Sequence, residues 1–329
     1  MTRLLQGMTR LLQERTEASA LLMLVIMLVA FSFMSPAFLT YNNFQIVLQP
    51  IPEIALIVIG VTILMISGEF DLSVGSVFVL APMIMVICMD AGIPLPVAML
   101  IGLIGAAMAG SVNAFITLRL GLPSFIATLG MLFMARSLAI VISGGFPPAF
   151  PRDLDLWWIV GKVDLLRVSI FWLLGIGILL GFWLRRFDFG SWIFATGGNQ
   201  EAARDMGINT AMVKTTCFVL CSVLAGFAGM IQTFRIKAIV PTMGTGFELT
   251  AIAAAVIGGT ALTGGIGSVT GAVIGALLIA FIENIIILTR IDANWFRFAV
   301  GAMIVVAVTV NKLMRDAAAQ RRMRAMTDD

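Results

Sequence analysis

Histidine is absent from this 329-residue chain, which excludes His-ligated metal sites and imidazole acid–base chemistry. Cysteine is scarce. Cys88, Cys217 and Cys221 all lie in apolar runs, and the last two share a helix face without forming a metal motif. They read as small buried apolar side chains. Charge is scarce as well, at 12% of residues, about half the share of a soluble domain. No Gly-x-x-x-x-Gly-Lys-Ser/Thr loop is present for a nucleotide. Gly265, Gly267 and Gly271 miss both the spacing and the preceding strand of a dinucleotide fingerprint. With no triad, no acid–base pair and no long basic surface for nucleic acid, the chain is expected to be no enzyme and to hold no metal or cofactor of its own.

What is abundant is apolar sequence, 60% of residues with a mean hydropathy of +1.04. The apolar runs never break for long enough to make a separate soluble unit, so an all-α polytopic membrane domain is expected. A span needs about 20 mostly apolar residues. About ten candidates meet that need: 18–39, 46–66, 72–89, 95–118, 124–142, 168–184, 211–232, 248–263, 268–288 and 295–311. The first is longer than a signal-peptide core and lacks a cleavage site, so it reads as a retained span. With the N-terminus placed inside, thirteen of the 21 Lys and Arg residues fall inside. Six fall outside, and Arg136 and Arg297 lie near or within spans. The positive-inside rule thus sets both termini in the cytoplasm. Residues 1–17 become a cytoplasmic segment, 18–311 the membrane domain and 312–329 a basic tail suited to anionic lipid.

Several spans carry breakers: Pro50 and Pro52, Pro82, and the run Gly258-Gly259 to Gly264-Gly265. Irregular backbone at membrane depth survives only where protein buries it or where it lines a cavity, and broken helices mark substrate paths in transporters. Gly267, Gly271 and Gly275, spaced by four, allow a close helix contact, and Gly177 and Gly181 repeat that spacing. Ser73-Val74-Gly75-Ser76-Val77 and Gly267-Ser268-Val269-Thr270-Gly271 are faintly similar. An outside loop, Ser143 to Arg167, holds three prolines and Trp157-Trp158. It is either a docking surface for an extracytoplasmic partner or a loop tucked on the membrane.

Polar residues in or beside spans are functional candidates by default. They include Glu69, Asp71, Asn113, Thr128, Glu248, Glu283, Asn284 and Arg297. Asp71 is either the cap of a helix starting near Ser73 or a gating residue. Glu283 and Arg297, on adjacent spans, are placed to pair.

The longest polar stretch between membrane-grade runs is Ala195 to Asn209. Asn199 can cap a helix, Glu201 would sit in its first turn and Gly207 fits a left-handed stop. A helix of about two turns is expected, either a docking knob or an amphipathic linker. Gly198-Asn199-Gln200-Glu201-Ala202-Ala203-Arg204-Asp205-Met206-Gly207-Ile208-Asn209 resembles the glutamate-alanine-alanine loop of ATP-binding-cassette importer permeases of the ribose, xylose and arabinose type. Gly68-Glu69-Phe70-Asp71-Leu72-Ser73-Val74-Gly75-Ser76, Pro123 to Gly130, and Pro241 to Leu249 with Ile257-Gly258-Gly259-Thr260 resemble further signatures of that family, in its order. Position 69 departs, being Glu where a small residue is expected.

The resemblance implies a sugar or polyol permease in a bacterial inner membrane, paired with a second permease copy. A separate ATPase carrying ATP and Mg would dock on the cytoplasmic segment 185–210 through Gly198, Asn199, Glu201, Ala202, Ala203, Arg204 and Gly207. A periplasmic binding protein would deliver the substrate. Glu69, Asp71, Ser73, Asn113, Thr128, Phe247, Glu248 and Trp295 would belong to the translocation path or gate, because a neutral polyol calls for hydroxyl, amide, carboxylate and aromatic groups. A branched-chain amino-acid permease and a stand-alone secondary transporter are the alternatives.

Overall fold

A computed structural model of the chain describes residues 16–148, 150–151, 154–292, 294–296, 298–302, 305 and 309. It is helical nearly throughout. In chain order the helices are α1 (Thr16–Met34), α2 (Tyr41–Leu48), α3 (Ile51–Ile66), α4 (Val74–Asp90), α5 (Leu95–Leu118), α6 (Ser124–Ile142) and α7 (Trp157–Val160). A two-residue hairpin follows, β1 (Lys162–Val163) and β2 (Leu166–Arg167), antiparallel with Lys162 opposite Arg167. Then come α8 (Val168–Arg186), α9 (Asp188–Gly198), α10 (Gln200–Asp205), α11 (Thr210–Ile236), α12 (Phe247–Ile257) and α13 (Val269–Leu288).

By length and composition, α5, α6, α8, α11 and α13 can each cross a membrane, and α2 with α3, bent by 43°, is long enough for a sixth span or a re-entrant loop. The bend falls at Pro50, so 46–66 is not one straight helix. The other proline calls divide. Pro52 sits in the first turn of α3, where its missing N–H costs nothing, and Pro82 lies inside an unbroken α4. Three apolar helices are shorter than a full span: Ser19–Met34, Val74–Asp90 and Phe247–Ile257. The first stops before Pro36 instead of running to 39, and the last ends at Gly258 instead of 263. Residues 1–15, Arg297 and the tail from 310 lie outside the described residues, so neither the Glu283–Arg297 pairing nor the tail is placed.

The bundle has a buried centre and an apolar rim. Every residue of α3 is buried, as a helix apolar on all sides must be. The spanning windows of α11 and α13 are 72% and 67% buried, whereas those of α5, α6 and α8 are 33%, 28% and 22% buried. The latter three therefore present the apolar outer faces that hydrocarbon would cover. Small residues bring α11 close to its neighbours. A Cβ on Gly229 would collide with Phe78 O of α4, one on Gly110 with Phe218 O, and one on Gly60 would lie 3.0 Å from Cys221 Cα. The four-spaced glycines of α13 work the same way, Gly271 against Gly258 O and Gly275 against Ala254 O of α12. Cys217 and Cys221 are buried at 0% exposure in this packing.

Polar links cross the interior where the sequence patterns gave no notice of a partner. Asn43 and Asn284 exchange amide hydrogen bonds at 3.0 and 2.8 Å, joining α2 to α13. Glu53, 2% exposed, accepts two bonds from the Arg235 guanidinium at 2.6 and 3.0 Å, joining α3 to α11. The Ser143–Arg167 loop lies tucked against the bundle. Tyr41 Oη donates to Asp164 Oδ1 at 2.8 Å, Trp172 Nε1 donates to Trp158 O at 3.1 Å, and Phe150 packs on Phe234.

Removing one member of a buried ion pair leaves the other charge desolvated, at a cost of about 3–5 kcal/mol. Arg235→Ala is therefore expected to lower stability by about that amount in mixed-micelle unfolding titrations. The double variant Glu53→Leu/Arg235→Leu is expected to regain most of it.

Candidate functional site

The chain leaves helical structure between Ile66 and Val74, and the backbone groups freed there are taken up by named side chains. Ser124 Oγ accepts from Phe70 N at 3.3 Å, and Thr128 Oγ1 accepts from Leu72 N at 3.1 Å. These two hydroxyls stand four apart at the start of α6, on one helix face. Asp71, fully buried, accepts Ser73 N at 2.7 Å and Ser73 Oγ at 2.6 Å. That is an Asx turn leading into α4; the cap position itself is Ser73, which makes no side-chain cap bond, so Asp71 orders the residue before the helix and does not cap its first turn. Asn113 of α5 donates to Ser73 Oγ at 2.9 Å and, at 3.4 Å, to both carboxylate oxygens. Among the described residues, Asn113 Oδ1 and the nearby Ser76 Oγ have no protein partner.

A second clamp holds the start of α4. Arg136 of α6 donates to Pro241 O at 2.7 Å, Met243 O at 2.6 Å and Gly75 O at 3.0 Å. The Pro241–Gly246 turn is thus fastened to α4, with Gly75 and Gly244 in backbone contact. Phe247 packs edge-on against Phe78 with centroids 5.2 Å apart, and Glu248 Oε1 accepts Gly246 N at 3.2 Å.

The polar stretch that follows α8 folds as two helices. Residues 195–198 complete α9, and α10 begins after Asn199, whose side chain accepts Ala202 N at 3.1 Å. The stop is made by Gly207 at φ +83°, with Ile208 N bonded to Ala203 O at 3.0 Å. Glu201, Ala202, Arg204, Met206 and Gly207 are exposed and Ala203 points inward. Arg204 Nε donates to Thr210 Oγ1 at 3.0 Å, fixing α10 to the start of α11. Immediately before α10, three glycine backbones meet. Gly197 lies against Ile66–Gly68 on one side and Gly264–Gly265 on the other, and Gly265 N donates to Ile66 O at 2.8 Å. The two faintly similar stretches each enter a helix just past this joint, Ser73 preceding α4 and Ser268 capping α13.

Glu69, the residue that departs from the expected small side chain, accepts from Lys214 Nζ at 2.6 Å. Lys214 also donates to Gln200 Oε1 at 2.8 Å. Glu69, Asp71, Ser73, Asn113 and Thr128 therefore converge on one segment, with Phe247 and Glu248 beside its far end. Trp295 does not join them. It is 56% exposed and meets Phe298 edge-on. Sequence reasoning missed Ser124, Arg136, Lys214 and Gly197 as members. The four-residue spacing of Ser124 and Thr128 was the one signal available. A groove of about 1030 Å³ lies elsewhere, between α8 and α13, past Gly177, Gly181 and Gly267.

A side chain at Gly197 would strike Ile66 O and Gly265 N, whereas Gly198 has open space. Gly197→Ala is expected to cost about 1–3 kcal/mol through overpacking, and Gly198→Ala close to nothing. Thermal unfolding of the two purified variants side by side checks this.

Comparison with known proteins agrees with the arrangement. The family described as "Branched-chain amino acid transport system / permease component" matches residues 43–308. The ribose import permease protein RbsC of Escherichia coli K12 is 33% identical over 300 residues, 90% of this chain and 93% of that protein. The autoinducer 2 import system permease protein LsrC of Salmonella typhimurium is 33% identical over 319 residues, 96% of this chain and 91% of that protein. No solved structure gives a significant match. A match over most of the length, on a bundle of apolar helices of spanning length, leads to one conclusion: this chain belongs to the family of branched-chain amino acid transport system permease components.

Proposed function

We propose that this chain is the multi-pass permease subunit of an ATP-driven importer that carries a monosaccharide or polyol across a bacterial inner membrane. The observation that carries the reading is the capped, exposed helix α10, joined through Gly197 to both interruptions of the membrane bundle. A connecting loop needs no such joint. In this reading a separate ATPase, with its ATP and Mg, docks on α10. Two copies of the chain form the pore, and a periplasmic binding protein delivers the substrate. The inward bias of Lys and Arg favours both termini in the cytoplasm, with 1–17 and 312–329 flanking the membrane domain. The three shorter helices and residues 295–311 bring the passages to about ten.

The polyol reading is favoured over an amino acid by where the cations are spent. A zwitterion's carboxylate is held best by a cationic side chain or by free helix N-terminal N–H groups. Beside the Asp71 cluster, Arg136 is committed to three backbone carbonyls and Lys214 to Glu69 and Gln200. What remains around Asp71 is hydroxyl, amide and carboxylate, the donor and acceptor set that matches sugar hydroxyls. The relatives named for ribose and autoinducer 2 import point the same way. A stand-alone secondary transporter would leave α10 without a purpose.

Reconstituted in proteoliposomes with its ATPase and binding protein, the chain is expected to take up one member of a panel of labelled pentoses, hexoses and polyols. Uptake should require all three components; flux without the ATPase contradicts the reading. Gly207→Trp places a side chain at φ +83°, costing about 1–2 kcal/mol in the left-handed stop. The variant is expected to insert normally and lose uptake.

A further inference from the structure

We infer that Glu69, Lys214 and Gln200 form a tether through which displacement of α10 reaches the Phe70–Ser73 segment. The inference rests on the proposed ATPase docking at α10 and names the residues that carry its motion inward. Lys214 Nζ lies 2.6 Å from Glu69 Oε1 and 2.8 Å from Gln200 Oε1, and the Lys214 side chain is 7% exposed. The three residues come from three elements. Gln200 opens α10, directly after its cap Asn199. Lys214 stands in the second turn of α11. Glu69 immediately precedes Phe70, whose N–H is held by Ser124, and stands two residues before the buried Asp71.

The physics of the two links differs. Glu69 and Lys214 are a desolvated, charge-assisted pair, and separating them strands both charges. Lys214 and Gln200 share a bond to a neutral amide, which is the weaker of the two. Lys214 is therefore bound firmly to the segment and more lightly to the helix, so movement of α10 parts the Lys214–Gln200 bond first and frees Lys214 and Glu69 to shift. Gly197 supplies steric contact at the same place, but a contact can only push. The tether supplies a bond that α10 can release. A buried ion pair is weak evidence for stability, and its position between two elements that must communicate gives it a reason to exist.

The test uses the assembled permease–ATPase complex with the native cysteines replaced and Phe70→Cys as the single thiol. The rate of labelling by a membrane-impermeant maleimide is compared without nucleotide and with ATP and vanadate trapped on the ATPase. The otherwise unsubstituted complex is expected to show a nucleotide-dependent change of at least about fivefold, the low end of usual coupling between sites. Glu69→Gln/Lys214→Met, which removes the pair without stranding a charge, should abolish the change, and so should Gln200→Leu. The swap Glu69→Lys/Lys214→Glu should restore at least part of it. A purely structural pair would lower the unfolding temperature and leave the nucleotide effect intact, and that result overturns the tether. Absence of any nucleotide effect in the parent complex overturns the tether, whereas the docking of α10 stands or falls on ATP-dependent uptake and its loss in Gly207→Trp.

Discussion

Backbone that leaves a helix inside a packed interior must still satisfy its N–H and C=O groups, because burial removes the water that would do so. The rest of this structure depends on how that constraint is met between Ile66 and Val74. Ser124 and Thr128 take the N–H groups of Phe70 and Leu72, Asp71 takes that of Ser73, and Arg136 takes carbonyls from both Gly75 and the Pro241–Met243 turn. Ser124, Thr128 and Arg136 all stand on α6, so α6 and the start of α4 are positioned by the interruption as much as by apolar packing. An opening of this segment must exchange these bonds for others, which favours two discrete arrangements over a continuous one.

The second organising constraint is distance. Where α9 ends, Gly197 sits in backbone contact with the ends of both interrupted stretches, and no side chain fits there. Close approach of three backbones makes a stiff junction, since dense interiors transmit displacement instead of absorbing it. Helix α10 projects from that junction with its polar face exposed, held by Asn199 at one end, Gly207 at the other and Arg204 to Thr210. Its position at the junction gives an external partner mechanical access to two interruptions at once.

Much of this was legible in the residues. Asn199, Glu201 and Gly207 are type-specific signals of local geometry, and the helix they bound forms where they place it. The glycines 267, 271 and 275 announced a close helix contact; α12 and its C-cap occupy it at Gly271 and Gly275, while Gly267 faces the Ile66 side chain. Pro82 misled, because a proline inside a packed apolar helix can be carried without a break when neighbours enclose it. Trp295 stands apart from the Asp71 cluster, since aromatic character says nothing about which way a helix faces. Arg136 was noticed only as a charge near a span, and its three acceptors lie 61 to 107 residues away.

The sequence by itself determined composition-level and short-range matters: a helical membrane domain, a capped polar helix between apolar runs, and the local polar stretch of Glu69, Asp71 and Ser73. These follow from hydropathy and from contacts within a few residues, which a linear pattern records. Only the tertiary structure decided which partner each buried polar group takes. Glu69 and Lys214 are separated by 145 residues, Glu53 and Arg235 by 182, and Asn43 and Asn284 by 241. No periodicity encodes such pairings. They are selected when helices pack and a buried polar group left without a partner costs free energy.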